Sequence, residues 1–440
     1  MIHYLSILSQ RIALAGLFVC LAATAMFAKP TDLVTVRDGR FYRNSKPYYF
    51  VGTNYWYGSL LGLEKDRKRG IERLRRELDF LKSQGVTNLR LMAGAEGTGL
   101  LNGVPRVGPP LQPEPGKFDA YVLDGLDLVL HEMGRRKIKA VIFLSNNWEW
   151  SGGFQQYLIW NKVTDPKWLT EKPSWDELRD NVAKFYSCKP CKAGYRRQVD
   201  FVLARRNKLN KLRYVDDPTI MAWELANEPR PMRPTANADY AKWIADEAAH
   251  IRSIDRKHLI TTGHEGRIGT ESLALFEQVH DDPNIDYLTI HIWPKNWGWF
   301  ANGKMAEDLE KALKLSSDYI AENSEVAQRL NKPMVIEEFG MPRDGQSFDI
   351  AARTTLRDRY FERIFSFIDG KSPIAGANFW AFGGTARPIK GQPLWKAGDE
   401  RMGDPPMEEQ GLNSVFDSDA STWNIIRKKT ASITRNFAVK

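Results

Sequence analysis

The sequence predicts a (β/α)8 barrel, built as one domain with an N-terminal β-hairpin, and three observations carry that prediction. Eight short segments rich in β-branched and apolar residues recur along the chain. Amphipathic helical stretches lie between most of them. The segments are apolar on both faces, as strands of a parallel sheet covered by helices must be, and eight such units suit closure into a barrel.

Taken in order, residues 1–28 read as a signal peptide. Arg11 precedes an apolar run over residues 12–25, and Ala23 and Ala25 suit a signal peptidase. The run is too short for a spanning helix, and no later stretch stays apolar for the ~20 residues that crossing requires. Cys20 lies inside the run behind Val19, a poor fit to a lipoprotein signal. The expectation is a secreted or periplasmic monomer, free of the membrane once the leader is removed, with residues 29–440 as its single domain.

The stretch "VTVRDGRFYRNSKPYYFVGTNYW" alternates apolar and polar residues around Asp38 and Gly39, which predicts a hairpin leading into a first core strand at residues 48–54. A helix over 70–84 then leads to "GVTNLRLM", and one over 121–136 to "IKAVIFLSNN". The remaining strands are "PTIMAWELANE", "HLITTGHEG", "IDYLTIHIW", "KPMVIEEFG" and "PIAGANFWAF", with helical stretches at 239–253, 305–330 and 350–369. No linker, low-complexity tract or short repeat divides the chain.

A net charge of +9 on 440 residues is modest. The densest basic stretch, "EKDRKRGIERLRREL", interleaves acids and keeps Ile71, Leu74 and Leu78 at helical spacing, so it reads as a solvated helix face and not as a nucleic-acid patch. Beyond the leader the cysteines are Cys188 and Cys191, in "SCKPC". In an oxidising compartment they read as a local disulfide clip, since a zinc site needs a second ligand pair and a redox motif needs a strand–helix context.

Polar residues of the predicted strands cluster at the carboxyl ends, where barrels carry their chemistry: Asn54, Arg90, Asn146, Asn147, Asn227, Glu228, His264, Glu265, His291, Glu338 and Trp380. Glu228 ends the strand in "MAWELANEPRP", and Glu338 ends a later one in "VIEEFG". Two acids delivered to one barrel mouth suit glycoside cleavage, in which one protonates the leaving oxygen while the other attacks the anomeric carbon or activates water. Glu337 should point to the opposite side of its strand by alternation, as a partner for a neighbouring basic group.

Together, "WELANEPR", "IHIWPKNWGW", "IEEFG" and "ANFWAFGG" resemble glycoside hydrolase family 5. More narrowly, "LSNNWEWSGG", "TTGHEG" and "GDPPMEEQGLNSVFDSD" resemble its endo-β-1,4-mannanase subfamily. The resemblance implies a retaining enzyme without cofactor or catalytic metal, with Glu228 as acid/base and Glu338 as nucleophile. It further implies that Asn227 donates to the 2-hydroxyl of the sugar being cleaved and that Arg90 holds the nucleophile ionised. His291 would line the cleft near the acid/base, Trp380 would floor the cleaved sugar, and Arg230 would touch the sugar on the leaving side. Where many members carry a tyrosine two residues after the histidine, this chain has Trp293, whose N–H can donate to Glu338 but cannot accept or titrate.

Fourteen tryptophans include Trp148, Trp150, Trp297 and Trp299 in predicted strand-end loops, and Trp148 is the leading candidate for a sugar platform. The expected substrate is β-mannan polysaccharide or manno-oligosaccharide, cut internally. The alternatives are an exo-acting β-mannosidase, with "AGAEGTGLLNGVPRVGPPLQPEPGKFD" as a plug instead of a wall, a β-1,4-glucanase, and a non-catalytic polysaccharide-binding protein. "HEG" at His264 lacks the second histidine of a zinc protease helix, and "DSDAS" lacks the glycine and glutamate of a calcium loop.

Overall fold

Asp38 and Gly39 both adopt left-handed backbone, with φ of 49° and 68°, and so turn β1 (Val34–Arg37) back onto β2 (Arg40–Arg43). A short β3 (Lys46–Pro47) completes a small antiparallel sheet. Two central residues at positive φ match the right-handed twist of the flanking strands, which is why an Asp-Gly pair was readable as a hairpin. Phe41 of β2 packs on Phe50 and edge-on against Tyr287, with ring centroids 6.5 and 5.2 Å apart, so the hairpin seals the amino-terminal end of the barrel. The computed structural model describes residues 32–437, and the expected signal peptide lies outside the described residues. From Leu33 onward the chain is one compact unit.

The barrel strands are β4 (Phe50–Asn54), β5 (Asn88–Met92), β6 (Lys139–Phe143), β7 (Ile220–Glu224), β8 (Leu259–Thr261), β9 (Leu288–Ile292), β10 (Met334–Phe339) and β11 (Ile374–Phe379). All pair in parallel in the order β8-β7-β6-β5-β4-β11-β10-β9, and every residue in them is buried. Isolated bonds bridge the remaining seam between β8 and β9, from Asp286 N to Ile260 O (2.8 Å) and from His291 N to Glu265 O (3.0 Å). Space inside is short. A Cβ on Gly52 would stand 2.1 Å from Asn378 Oδ1 and 2.5 Å from Asn88 O, so only glycine fits there.

The helices outside the sheet include α1 (Arg67–Ser83), α2 (Ala120–Arg135), α3 (Trp175–Val182), α4 (Lys189–Leu203), α5 (Asn237–Ile254), α6 (Leu309–Arg329), α7 (Thr355–Ser366) and α8 (Ala420–Phe437). On α1 the reading of the basic stretch as a solvated face needs correction. Arg73 and Glu77 turn inward and pair at 2.8 Å, and Glu77 also accepts from Tyr55 Oη (2.5 Å) and Thr385 N (2.9 Å). These partners come from distant segments, which helical periodicity does not reveal. Cys188 and Cys191 are joined at the start of α4, with 1.99 Å between the sulfurs.

Two long excursions rise from the carboxyl end, residues 97–118 after β5 and residues 385–414 after β11, and Arg401 Nη2 ties them together by donating to Gly108 O (2.8 Å). A third, after β6, carries α3 and α4. Among the described residues no helix is long and apolar enough to cross a membrane.

Candidate active site

Arg90 stands at the centre of the barrel mouth, fully buried on β5. Its guanidinium donates in every direction that the planar fork allows. Nε and Nη2 reach the two oxygens of Glu224 (2.8 and 2.5 Å), Nη2 also reaches Asn227 Oδ1 (2.7 Å), and Nη1 reaches Asn54 Oδ1 (3.0 Å) and Glu338 Oε1. Burial works against its charge, but Glu224, Glu337 and Glu338 outweigh burial and hold it above the ordinary arginine range.

Glu338 comes from the end of β10, where the pairing with β9 slips: Ile290 faces Ile336, yet His291 faces Glu338. The extra residue is Glu337. Its carboxylate lies 3.6 Å from Arg90 Nε and 3.7 Å from His291 Nε2, so it shares both neighbours with Glu338 and does not face the opposite side as alternation predicts. A bulge sets two residues against one and breaks the period of two, which a sequence pattern alone cannot reveal. Trp293 Nε1 donates to Glu338 Oε2 at 3.3 Å, and its ring meets Trp380 edge-on at 6.0 Å.

Beyond β7 the ladder continues irregularly: Asn227 N donates to Ser145 O (2.9 Å) and Glu228 N to Gly263 O (2.9 Å). Glu228 then takes a left-handed backbone, φ 52°, ahead of Pro229. A non-glycine residue held there costs on the order of 1–3 kcal/mol and is characteristic of functional sites. Its Oε1 lies 2.7 Å from His291 Nδ1, and its Oε2 accepts from the indole N–H of Trp148. The same Nδ1 is 3.2 Å from Glu338 Oε2, so the imidazole bridges both acids. One ligand atom from each of Glu228, His291 and Glu338 falls within 4.8 Å of the others. These are the atoms a metal could use, but Trp148, Trp293 and Arg90 already engage the carboxylates as hydrogen-bond donors.

Burial pushes Glu228 up, and the hydrogen bond and charge of His291, then Arg230 and Trp148, overcome it and leave the carboxyl below its usual range. His291 is held well above the usual imidazole range, against its burial, by Glu338, Glu228 and Glu337. These opposite shifts favour the imidazolium–carboxylate form of the His291–Glu228 pair.

The site opens into a cavity of about 750 Å³, whose lining includes Trp148, Asn227, Glu228, Arg230, Trp293, Glu338 and Trp380. Arg90 and His291 lie fully buried beneath it. Asn227 accepts from Arg90 Nη2 at its Oδ1 and donates one N–H to Asn146 Oδ1 (3.0 Å). Arg230 is gripped by both oxygens of Glu265 and lies over the Trp148 ring, 5.1 Å from its centroid. Trp150 and Trp297 also line the cavity, whereas Trp299 packs on Tyr319. Sequence reasoning gave no role to Glu224, Trp175 or Glu408. Glu224 was detectable, because an acid inside an apolar strand needs a buried partner.

A barrel that brings two carboxylates together at its mouth has the form of a glycoside hydrolase. The family model described as glycoside hydrolase family 5 β-mannosidase-like matches residues 31–437, and the chain belongs to that family. It is similar to a family 5 mannosidase from Rhizomucor miehei, with 32% identity, a TM-score of 0.83, and coverage of 93% of this chain and 99% of the other. It is 30% identical over 361 residues to mannan endo-1,4-beta-mannosidase 7 of Arabidopsis thaliana, covering 79% of this chain and 77% of the relative. An endo-beta-1,4-mannanase from Thermotoga petrophila shares the fold at 21% identity and TM-score 0.64, covering 90% of this chain and 79% of the other.

Proposed function

We propose that the protein is an exported, retaining β-mannoside hydrolase that removes mannose from the ends of β-1,4-linked manno-oligosaccharides. The bridge that His291 makes between Glu228 and Glu338, above an arginine with every donor engaged, carries this reading. Glu338, held by Arg90 and aimed by Trp293, attacks the anomeric carbon. Glu228, having drawn the shared proton from His291, delivers it to the departing glycosidic oxygen. The bond from carbon to that oxygen breaks as the bond to Glu338 forms. Glu228 then takes a proton from water, the hydroxide equivalent displaces Glu338, and mannose leaves with its anomeric configuration retained.

Terminal cleavage is supported by the wall beside Glu338. Lys295 Nζ reaches Glu409 Oε2 at 3.1 Å and joins the loop after β9 to residues 385–414, which Arg401 joins in turn to residues 97–118. From these tied loops Leu101, Met407, Glu408 and Asn413 face the cavity. Glu408 lines the same cavity as Glu228 and Glu338, and burial, with Asp404, Glu338 and Glu228 adding to it, pushes its carboxyl well above the carboxylate range. A wall built from these tied loops suits recognition of a chain end. The second reading, internal cleavage, is favoured by relatives such as the Arabidopsis enzyme, named for endo action.

Product analysis at early times on mannopentaose and on mannan tests both readings. Free mannose as the first product supports terminal action, and a spread of oligosaccharides supports internal cleavage. Absence of cleavage of any β-mannoside refutes both. Export rests on the leader motif and is tested by the amino-terminal sequence of the protein recovered outside the cytoplasm.

A further inference from the structure

The two acids have different aromatic company. Trp293 and Trp380 attend Glu338, whereas Trp148 attends Glu228 and has Trp175 beside it, centroids 6.2 Å apart and planes inclined by 32°. The acid/base contacts the bridging oxygen, so whatever lies beyond Glu228 lies on the leaving side of the bond. We propose that Trp175 is a stacking platform for the sugar of the leaving group, a neutral β-linked mannosyl residue. This rests on the reading of Glu228 as acid/base.

Four observations support a built platform. Trp175 lines the cavity yet is 48% exposed, a large flat apolar face left at the mouth. Among the described residues its indole N–H meets no acceptor, so it is free for a hydroxyl. Its start on α3 is fixed by a capping box, Glu177 N to Ser174 Oγ (3.3 Å) and Ser174 N to Glu177 Oε2 (2.8 Å), which brings Leu178 one turn on to the same cavity. Finally, α3 is stapled to the segment that follows Glu228. Arg233 Nε donates to Asp180 (2.6 Å), Arg233 Nη2 to Asp176 O (3.0 Å), and Arg179 Nε to Met232 O (2.8 Å). Ring and acid/base are therefore held in one frame. Arg230 lies 5.6 Å from the Trp175 centroid but is anchored by Glu265, so loss of the indole leaves it in place.

The test compares mannotriose with β-mannosyl fluoride, whose leaving group is too small to touch the platform and needs no proton from Glu228. For Trp175→Ala the expected result is a fall in kcat/KM of at least tenfold on mannotriose, with fluoride turnover within twofold of wild type. Trp175→Phe, which keeps a flat ring, should recover most of the loss. A Trp175→Ala variant that loses both substrates equally, or neither, overturns the platform. Wild-type protein that turns over neither substrate overturns the parent reading instead, before any substitution is made.

Discussion

Arg90 and Glu224 face one another with no solvent exposure, joined by hydrogen bonds of 2.8 and 2.5 Å. The same guanidinium also serves Glu338, so Glu224 shares the field that the proposed nucleophile feels. Burial raises the Glu224 carboxyl to about 8 even beside Arg90, and glutamine keeps one acceptor while removing the negative charge that the carboxyl shares with the arginine. Arg90 then acts more strongly on Glu338 and makes it a poorer nucleophile. Glu224→Gln should lower kcat on mannobiose about tenfold, the scale of 1.4 kcal/mol. Glu224→Ala leaves two of the arginine's donors unmet while Glu338, Asn54 and Asn227 still hold it, and should also destabilise the fold by about 1–3 kcal/mol in denaturant titration. Unchanged kcat in Glu224→Gln argues against this sharing.

Azide distinguishes the two acids. In Glu228→Ala the small anion fits the space of the missing carboxylate and should attack the proposed glycosyl-enzyme, yielding β-mannosyl azide and restoring activity on a substrate with a good leaving group. In Glu338→Ala azide should take the place of the proposed nucleophile and yield the α-azide. Without azide, Glu228→Ala should lose on the order of 10²–10⁴-fold. Chromatographic identification of the anomer decides, and the reverse pattern would exchange the two roles.

The strands were legible because each is a run of apolar or β-branched residues ended by polar ones, and the acid pair because both members stand at such ends. Glu337 has the basic partner expected of it, Arg90, but its facing was misread because the bulge at His291 is a property of pairing, not of one strand. Arg73 and Glu77 look solvated on a helical wheel, and only the arrival of Tyr55 and Thr385 from other segments makes that face interior. Trp175 opens α3 behind a capping box and Glu408 lies in an irregular excursion, but neither stands at a strand end, so nothing local marks them as reaching the mouth. Asp38 and Gly39 mark the opposite case, a turn written entirely in two adjacent residues.

Trp148 stands out in the sequence as a sugar platform, and the structure adds that its N–H donates to Glu228 Oε2. Phenylalanine separates the two roles, since it keeps a flat face and removes the donor. If the hydrogen bond positions the acid/base, Trp148→Phe should cut kcat about tenfold with KM changed little. A platform alone predicts near-wild-type kcat, and a raised KM would point the same way. Steady-state kinetics on mannotriose give the split.

His291 determines how the site should respond to pH. Its charge is favoured by Glu338, Glu228 and Glu337, and its folded pKa lies above the usual value of about 6.5, while Glu228 lies below its own. The pair therefore keeps one proton through neutral pH and releases it only as pH rises through the raised value of His291. Activity that needs this proton is present below that point and lost above it, so the alkaline limb of kcat/KM should lie above pH 6.5. Asparagine preserves a polar contact to Glu228 but cannot hold the proton. In His291→Asn the alkaline limb should move at least one pH unit toward acid, because the carboxyl must then retain the proton alone. Fluoride as leaving group needs no acid in the first step, so β-mannosyl fluoride should show a weaker shift in the same variant. Coincident alkaline limbs for wild type and His291→Asn on mannobiose would assign the proton to some other group.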